Sequence, residues 1–343
     1  MQDKYLLLAD GSSPHVLKWV KELVRYFDVY IISLNGISKE IEVYINKNKI
    51  HVLNENASAT GGNHTLIFKL PQIRSIMHQI APRYLNAHYL SSYGFLAALS
   101  KNAVDEVILI QSTWGSDVLV EPFLNKIRKQ IAKYSLRKAD FVTSDSWYMA
   151  DVVHQLVGEK EVIVFPFGFN IIKNVKCEKE AIIFSNRALK DLYNIKLVIK
   201  WFSKQDPKYR LVIANEGKER NALEVLVKEL GLTEKILFVG YLSQEEQDNL
   251  YKRAKYYISI PDSDATSVSL LEAMQYGTIP IVSNIHANRE WILDGVNGLY
   301  FDSHKKLEET EIEEDFVTIN QNILKRKALF PKSIKDFVSK VKR

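Results

Sequence analysis

The chain has 343 residues, 46% of them hydrophobic and 25% charged, with a formal net charge of +5. Single cores stop growing at roughly 250–300 residues, so this length implies two domains of an ordinary globular protein. The lone Cys177 excludes an internal disulfide and fits a reducing compartment, and no run of ~20 apolar residues exists to cross a bilayer.

The opening MQDKYLLLADG has no long apolar region behind a basic start, so no secretory signal is expected and the chain is read as cytoplasmic. The modest positive charge permits attraction to anionic surfaces but identifies no partner. There is no repeat of fixed period, no zinc spacing and no low-complexity tract.

In chain order, strand-like runs at residues 5–9, 29–34, 50–53, 84–88, 107–110, 141–144 and 162–165 alternate with amphipathic segments. That alternation predicts an α/β domain, a parallel sheet covered by helices on both faces. Ligands of such sheets gather beyond the C-terminal strand ends, so the residues after each strand are the ones to read.

The first strand leads into Asp10-Gly11-Ser12-Ser13-Pro14-His15 and a helix in which Val16, Val20, Leu23 and Val24 share a face, with Trp19 beside it. Gly11 can admit a close backbone approach to a diphosphate or an acceptor, although Ser13-Pro14 is equally plain helix-capping chemistry. A G-x-G-x-x-G pattern is absent, which counts against a nicotinamide or flavin dinucleotide. Asn86-Ala87-His88-Tyr89 ends the fourth strand, and Ser112-Thr113-Trp114-Gly115-Ser116-Asp117 follows the fifth. His88 is a candidate hydrogen-bond donor or a structural histidine. His15, Trp114 and Asp117 are candidates for meeting an acceptor.

Between Lys126 and Lys138 stand six cations (Lys126, Arg128, Lys129, Lys133, Arg137, Lys138) and no carboxylate, with Leu124, Ile127, Ile131 and Tyr134 on the other helix face. Such a helix either packs its apolar side on the protein and solvates the rest, or lies on an anionic membrane. Nucleic acid is not expected as a partner, because no aromatic platform or known module accompanies the charge. Phe165-Pro166-Phe167-Gly168-Phe169-Asn170 ends regular structure, and the charged residues 173–180 read as a linker. The expected organisation is a domain at 1–172, another at 173–325, and a terminal helix at 326–343 packing back on the first through Phe330, Ile334, Phe337, Val338 and Val341.

A second alternating set follows at residues 181–184, 211–214, 236–239, 256–260, 279–282 and 299–301, and Glu308 to Asp315 reads as a solvated acidic surface. The richest stretch is SIPDSDATSVSLLEAMQYGTIPIVSNIHANREWILDGVNGLYF, residues 259–301. There a strand ends in a hydroxyl-rich loop that opens a helix, and Thr266, Ser267 and Ser269 are good cap residues. Together with Val268 they present free amides, and a helix start of this kind favours a phosphate. Asp264 precedes it and Glu272 lies on the helix eight positions later, a pair suited to sugar hydroxyls.

Asp264-x7-Glu272, LEAMQYGTIPIVS and NREWILDGVNG together resemble the donor-site signature of glycosyltransferase family 4, retaining enzymes of the GT-B fold, and the likeness extends along nearly the whole chain. The family usually has Glu where this chain has Asp264, a carboxylate one methylene shorter. The resemblance implies two facing Rossmann-like domains, the first for the acceptor and the second for a nucleotide sugar. It implies that Arg187, after the strand at 181–184, binds the donor diphosphate. The family's partner lysine falls at Leu192, leaving Lys190 to reach in from another turn. Glu216 and Leu242 stand where relatives hold the nucleotide base. His88 corresponds to the second histidine of a family His-x-His whose first is Asn86 here, and Trp114 replaces a further family histidine.

The expectation is therefore a retaining transfer from a nucleotide-diphosphate sugar, UDP-sugar favoured, to a saccharide acceptor, lipid-linked, in bacterial surface polysaccharide assembly. Arg187, Asp264, Glu272 and His88 would be its catalytic residues. No metal or other cofactor is implied, since Asp262-x-Asp264 reads as loop plus sugar contact. The alternatives are a sugar-nucleotide epimerase of the same shape and a non-catalytic sugar-nucleotide or glycan-binding protein.

Overall fold

A computed structural model describes residues 2–53, 64–166, 178–309 and 312–342. The chain forms two units, residues 1–168 with 330–343 and residues 169–329. Residues 167–170 and residues 173–177 of the expected linker lie outside the described residues. Glu180, assigned to that linker by its charge, instead opens a strand and pairs with Arg253 at 2.5 Å.

Unit 1 is a seven-stranded sheet of β1 (Lys4–Leu8), β2 (Asp28–Ser33), β3 (Ile50–Val52), β4 (Tyr84–His88), β5 (Ile108–Ser112), β6 (Phe141–Ser144) and β7 (Val162–Val164), in the order β3-β2-β1-β4-β5-β6-β7. Every pairing is parallel. Both faces are covered, which is why these strands read as unbroken apolar runs. In β1, Tyr5 and Leu7 enter one core while Leu6 and Leu8 enter the other, as a period of two requires. β5 runs to Ser112, past the expected end at residue 110, because buried Gln111 and Ser112 continue the ladder without the apolar signal.

Helix Pro14–Leu23 starts where Ser13 accepts a hydrogen bond from the His15 amide and Pro14 supplies a ready φ. Its buried Val16, Trp19, Val20 and Leu23 form the inward stripe. Helix Phe330–Val341 closes the same core, with Phe330 and Phe337 ring centroids 5.9 and 5.8 Å from Trp19. Residues 326–329 lie with the other unit.

Helix Lys126–Lys138 departs from the expected packing. Its buried residues are Ala132, Ser135 and Leu136, while Ile127 is 74% and Leu124 60% exposed. Helical spacing located an apolar stripe, but the small residues on a neighbouring stripe let the helix sit closer to the protein.

Unit 2 has β8 (Glu180–Ser185), β9 (Arg210–Ala214), β10 (Ile236–Gly240), β11 (Ala254–Ser259), β12 (Ile279–Val282) and β13 (Leu299–Tyr300), all parallel, in the order β10-β9-β8-β11-β12-β13. Ile183, Ile213, Ile258 and Ile281 face one core, and Ile182, Phe184, Val212 and Tyr257 the other. The order reverses between β8 and β11 here, as it does between β1 and β4 in unit 1. Loops leaving two adjacent strands diverge at such a reversal and open a crevice.

Phe337 is fully buried among aromatic rings. Phe337→Ala is expected to cost unit 1 about 3–5 kcal/mol in urea unfolding, and a loss below ~1 kcal/mol would deny that helix Phe330–Val341 belongs to its core.

Candidate functional site

The reversal point of unit 2 carries Arg187 two residues beyond β8 and the acidic, hydroxyl-rich loop beyond β11. These loops are tied together by backbone and amide groups. The Asp262 amide donates to the Leu192 carbonyl at 3.0 Å, and Asn194 Nδ2 donates to the Ile260 carbonyl at 3.0 Å and to Asp262 Oδ1 at 2.7 Å. Asn194 holds a left-handed φ of 54°, a conformation asparagine tolerates better than most residues. On the far side, Gly217 lies so close to Leu189 that an added Cβ would sit 2.3 Å from the Leu189 carbonyl oxygen. The segment bearing Arg187 is therefore pinned from both flanks.

Arg187 Nη1 donates to Ser267 Oγ at 2.9 Å and Nη2 donates to Asp264 Oδ2 at 2.7 Å. Its guanidinium stacks 4.2 Å from the Tyr193 ring centroid. The side chains of Arg187 and Asp264 are 11% and 20% exposed, so the pair is only partly desolvated. Burial works against the guanidinium charge, but Asp264, with the phenols of Tyr257 and Tyr193, more than offsets it and raises the Arg187 pKa. Ser267 also caps helix Val268–Gln275, accepting from the Leu270 amide. Val268 and Ser269 are half-buried, and helix geometry leaves their N–H groups without intrahelical acceptors. The arrangement is a cation beside free amides with a carboxylate already in place, suited to exchanging one anion for another.

Several supporting residues carry no motif that would announce them. Tyr257 Oη donates to Asn186 Oδ1 at 3.1 Å, and Asn186 Nδ2 donates to Gln247 Oε1 at 2.8 Å and to Tyr251 Oη at 3.0 Å. This network lies beneath Arg187 and fixes the turn after β8. Trp291 Nε1 donates to Thr266 Oγ1 at 3.3 Å, so part of the NREWILDG segment braces the loop. The only prior signal for these groups was their place next to strand ends.

The remaining expected donor residues are placed differently. Glu272 is half-buried on helix Val268–Gln275, and its charge acts on the Tyr251 phenol. Lys190 is exposed at the start of a short turn. Glu216 is bound by Arg220 at 3.0 Å while its carbonyl holds the Leu189 amide. Leu242 packs on the apolar cluster around Tyr251. Gly11 lies in unit 1 under its own chain, where an added Cβ would meet Ile37 Cδ1 at 2.4 Å, and its amide donates to Ser33 Oγ. That contact gives the glycine a packing reason independent of any ligand.

In unit 1, the strand ends gather rings. His88 and Trp114 centroids are 5.3 Å apart, His15 and Trp114 5.3 Å, and Trp19 and His88 5.1 Å. His88 is 3% exposed, with Nε2 at 3.2 Å from Asn86 Oδ1 and Nδ1 without a partner among the described residues. Burial, with a lesser push from His15, lowers its pKa to about 3, so the ring is a neutral imidazole. His15 is solvent-exposed as a residue, yet desolvation of its ring and the Lys18 charge also lower its pKa. Asp117 accepts from the Leu90 amide at 3.0 Å and the Trp114 amide at 2.9 Å, so both oxygens serve to hold the Trp114 loop. Burial still prevails over those bonds and raises its pKa to about 6. Tyr89, at a strained φ of 78°, spans the same loops through Ser116 and Glu121, each at 2.9 Å.

Two parallel Rossmann-like sheets, each with a reversal of strand order, define a two-domain α/β protein with a ligand crevice at each reversal. Residues 4–146 match the family described as glycosyl transferase 4-like, and residues 167–314 match glycosyl transferases group 1. The chain is thus a GT-B glycosyltransferase of the family 4 type. It is 24% identical over 263 residues to the N-acetyl-alpha-D-glucosaminyl L-malate synthase of Bacillus anthracis, covering 69% of this chain and 68% of that one. It is 26% identical over 206 residues to the alpha-monoglucosyldiacylglycerol synthase of Streptococcus pneumoniae, covering 52% and 46% respectively. In fold it is similar to Anabaena Alr3699/HepE solved with UDP and glucose, with a TM-score of 0.79 at 14% identity over 99% of this chain and 100% of that one. The pneumococcal O-GlcNAc transferase GtfA, solved with UDP and GlcNAc, gives 0.75 at 10% identity over 99% of each.

Neutral, buried His88 has a consequence for stability. Below the ordinary histidine pKa of about 6.5 the unfolded chain takes up a proton that folded His88 refuses, so stability should fall as pH drops from about 6.5 towards 3. His88→Gln should flatten that slope, and the His88 ring resonances should not titrate between pH 5 and 8. Titration within that window would show an accessible, chargeable imidazole instead.

Proposed function

We propose that the chain transfers one sugar from a UDP-sugar to a saccharide acceptor with retention of anomeric configuration. The observation that carries this is the junction of Arg187, Ser267 and the start of helix Val268–Gln275, where a cation and free amides meet at a strand reversal. As the glycosidic bond to the diphosphate breaks, negative charge grows on the leaving oxygen. Donors already fixed in place stabilise it without reorganisation, usually the largest catalytic contribution. Asp264 holds donor-sugar hydroxyls and Glu272 the ribose diol, which positions the anomeric carbon. Unit 1 serves the acceptor, with Trp114 offering a ring face to a sugar and Asp117 acting by holding that ring's loop. His88 acts as a neutral group.

UDP is favoured over other nucleotides because the two fold relatives described above were solved with it. We propose that charge on the leaving group is met by Arg187 and amides rather than by a metal. The acceptor is proposed to be lipid-linked, in the assembly of a bacterial surface glycan. Exposed Phe123, Leu124 and Ile127 beside the six cations of Lys126–Lys138 favour an anionic membrane surface, and one relative is named for a lipid product. No described helix is long and apolar enough to cross a membrane.

A thermal-shift screen of UDP, GDP, ADP and CMP with their common sugars, followed by transfer assays in excess EDTA, tests the reading. Arg187→Ala is expected to lower kcat about 10²–10³-fold, the range seen when one preorganised donor is removed. Undiminished transfer would remove Arg187 from the mechanism, and conversion of a sugar nucleotide without acceptor would favour an epimerase. For the membrane, vesicles with 30% anionic lipid should sediment the protein and neutral vesicles should not. Equal binding to both would exclude the charged helix as the reason.

A further inference from the structure

Arg187 already has an anion. Asp264 Oδ2 sits 2.7 Å from its Nη2, while Asp264 Oδ1 accepts a hydrogen bond from the Ala265 amide at 3.0 Å. A diphosphate reaching the guanidinium and the helix start therefore meets a carboxylate of its own sign. On the turn opposite, Leu192 stands where the resemblance places a lysine, its carbonyl accepts from the Asp262 amide, and the neighbouring Lys190 is exposed to solvent. Both halves of the pair must be re-partnered when a ligand binds.

Resting on the function proposed above, we propose that Asp264 is an internal competitor that discriminates intact donor from nucleoside diphosphate product. An intact sugar nucleotide supplies phosphate oxygens to Arg187 and hydroxyls to Asp264, so the exchange leaves neither charge unmatched. After transfer the hydroxyls depart with the sugar. Asp264 Oδ2 then faces the diphosphate with only Arg187 to pair with, and re-formation of the ion pair drives the product out. The same contact that holds the apo site together thereby promotes turnover. Tyr193, stacked on the guanidinium, keeps Arg187 in reach of both anions during the exchange.

The test is calorimetric titration of wild type, Asp264→Asn and Asp264→Glu with UDP, inorganic pyrophosphate and uridine. Removing the carboxylate charge should tighten UDP and pyrophosphate by about three- to tenfold, since a ligand no longer has to displace a competing partner. Uridine should be unaffected, and Asp264→Glu, which keeps the charge, should stay within about twofold of wild type. Unchanged or weaker UDP and pyrophosphate binding by Asp264→Asn overturns the competitor. Should no nucleotide bind any form, the donor reading fails, while the pyrophosphate comparison still decides the competition. Thermal unfolding confirms that each variant is folded, and Asp264→Ser replaces the asparagine variant if that one is not.

Discussion

A partly desolvated guanidinium cannot stand alone, and the architecture of unit 2 can be read as the means of keeping Arg187 supplied with partners. Charge withdrawn from water must be paired and hydrogen-bonded or it is lost. Asp264 and Ser267 supply the bonds, and Tyr193 covers the flat face that hydrogen bonding leaves open. All of these come from loops beyond β8 and β11, strands that adjoin only because the sheet order reverses between them. The braces through Asn194, Asn186 and Gly217 then convert proximity into fixed geometry. Loosen any of them and the guanidinium would have to find its anion by chance.

Unit 1 uses the same topological reversal for the opposite chemistry. Its β1 and β4 ends bring together a set of rings from Trp19, His88 and Trp114 with a neutral imidazole at the centre. The carboxylates nearby are spent on scaffolding, Asp117 on two backbone amides and Glu121 on the Tyr89 hydroxyl. One sheet end is polarised for an anion; the other is ring-lined, the kind of surface on which a neutral sugar face can rest. Two copies of one fold thus differ by what their strand ends carry rather than by how the strands are ordered.

Parallel strands buried on both faces announce themselves as apolar runs, so the strand positions were legible to within about two residues. The errors fall where that signal fails, at Gln111 and Ser112 of β5 and at charged Glu180 of β8. Local chemistry was legible too: Ser267 has the side chain and position of a helix cap and is one. What no local pattern contains is the bond between Arg187 and Asp264, which are 77 positions apart, or the Tyr193 ring against the guanidinium. Periodicity likewise found the apolar stripe of helix Lys126–Lys138 but not its orientation, because a stripe says that a face is apolar and not what covers it. Ala132 and Ser135 won the inward position by being small enough for close approach.

The charge balance around Arg187 sets how the proposed donor site can attract a ligand. Arg187 and Asp264 cancel at distances beyond their separation, and Lys190, the nearest unpaired candidate by sequence, is exposed on a turn where water and salt screen it. Little net positive field is left to draw a diphosphate in from afar. Attraction must therefore arise at short range, from the amides at the start of helix Val268–Gln275 and from the guanidinium once its carboxylate has turned elsewhere. A ligand that brings hydroxyls as well as phosphates satisfies that condition, and a bare anion does not. Under the proposed exchange, recognition of the sugar and release of positive charge toward the phosphates are two sides of one event.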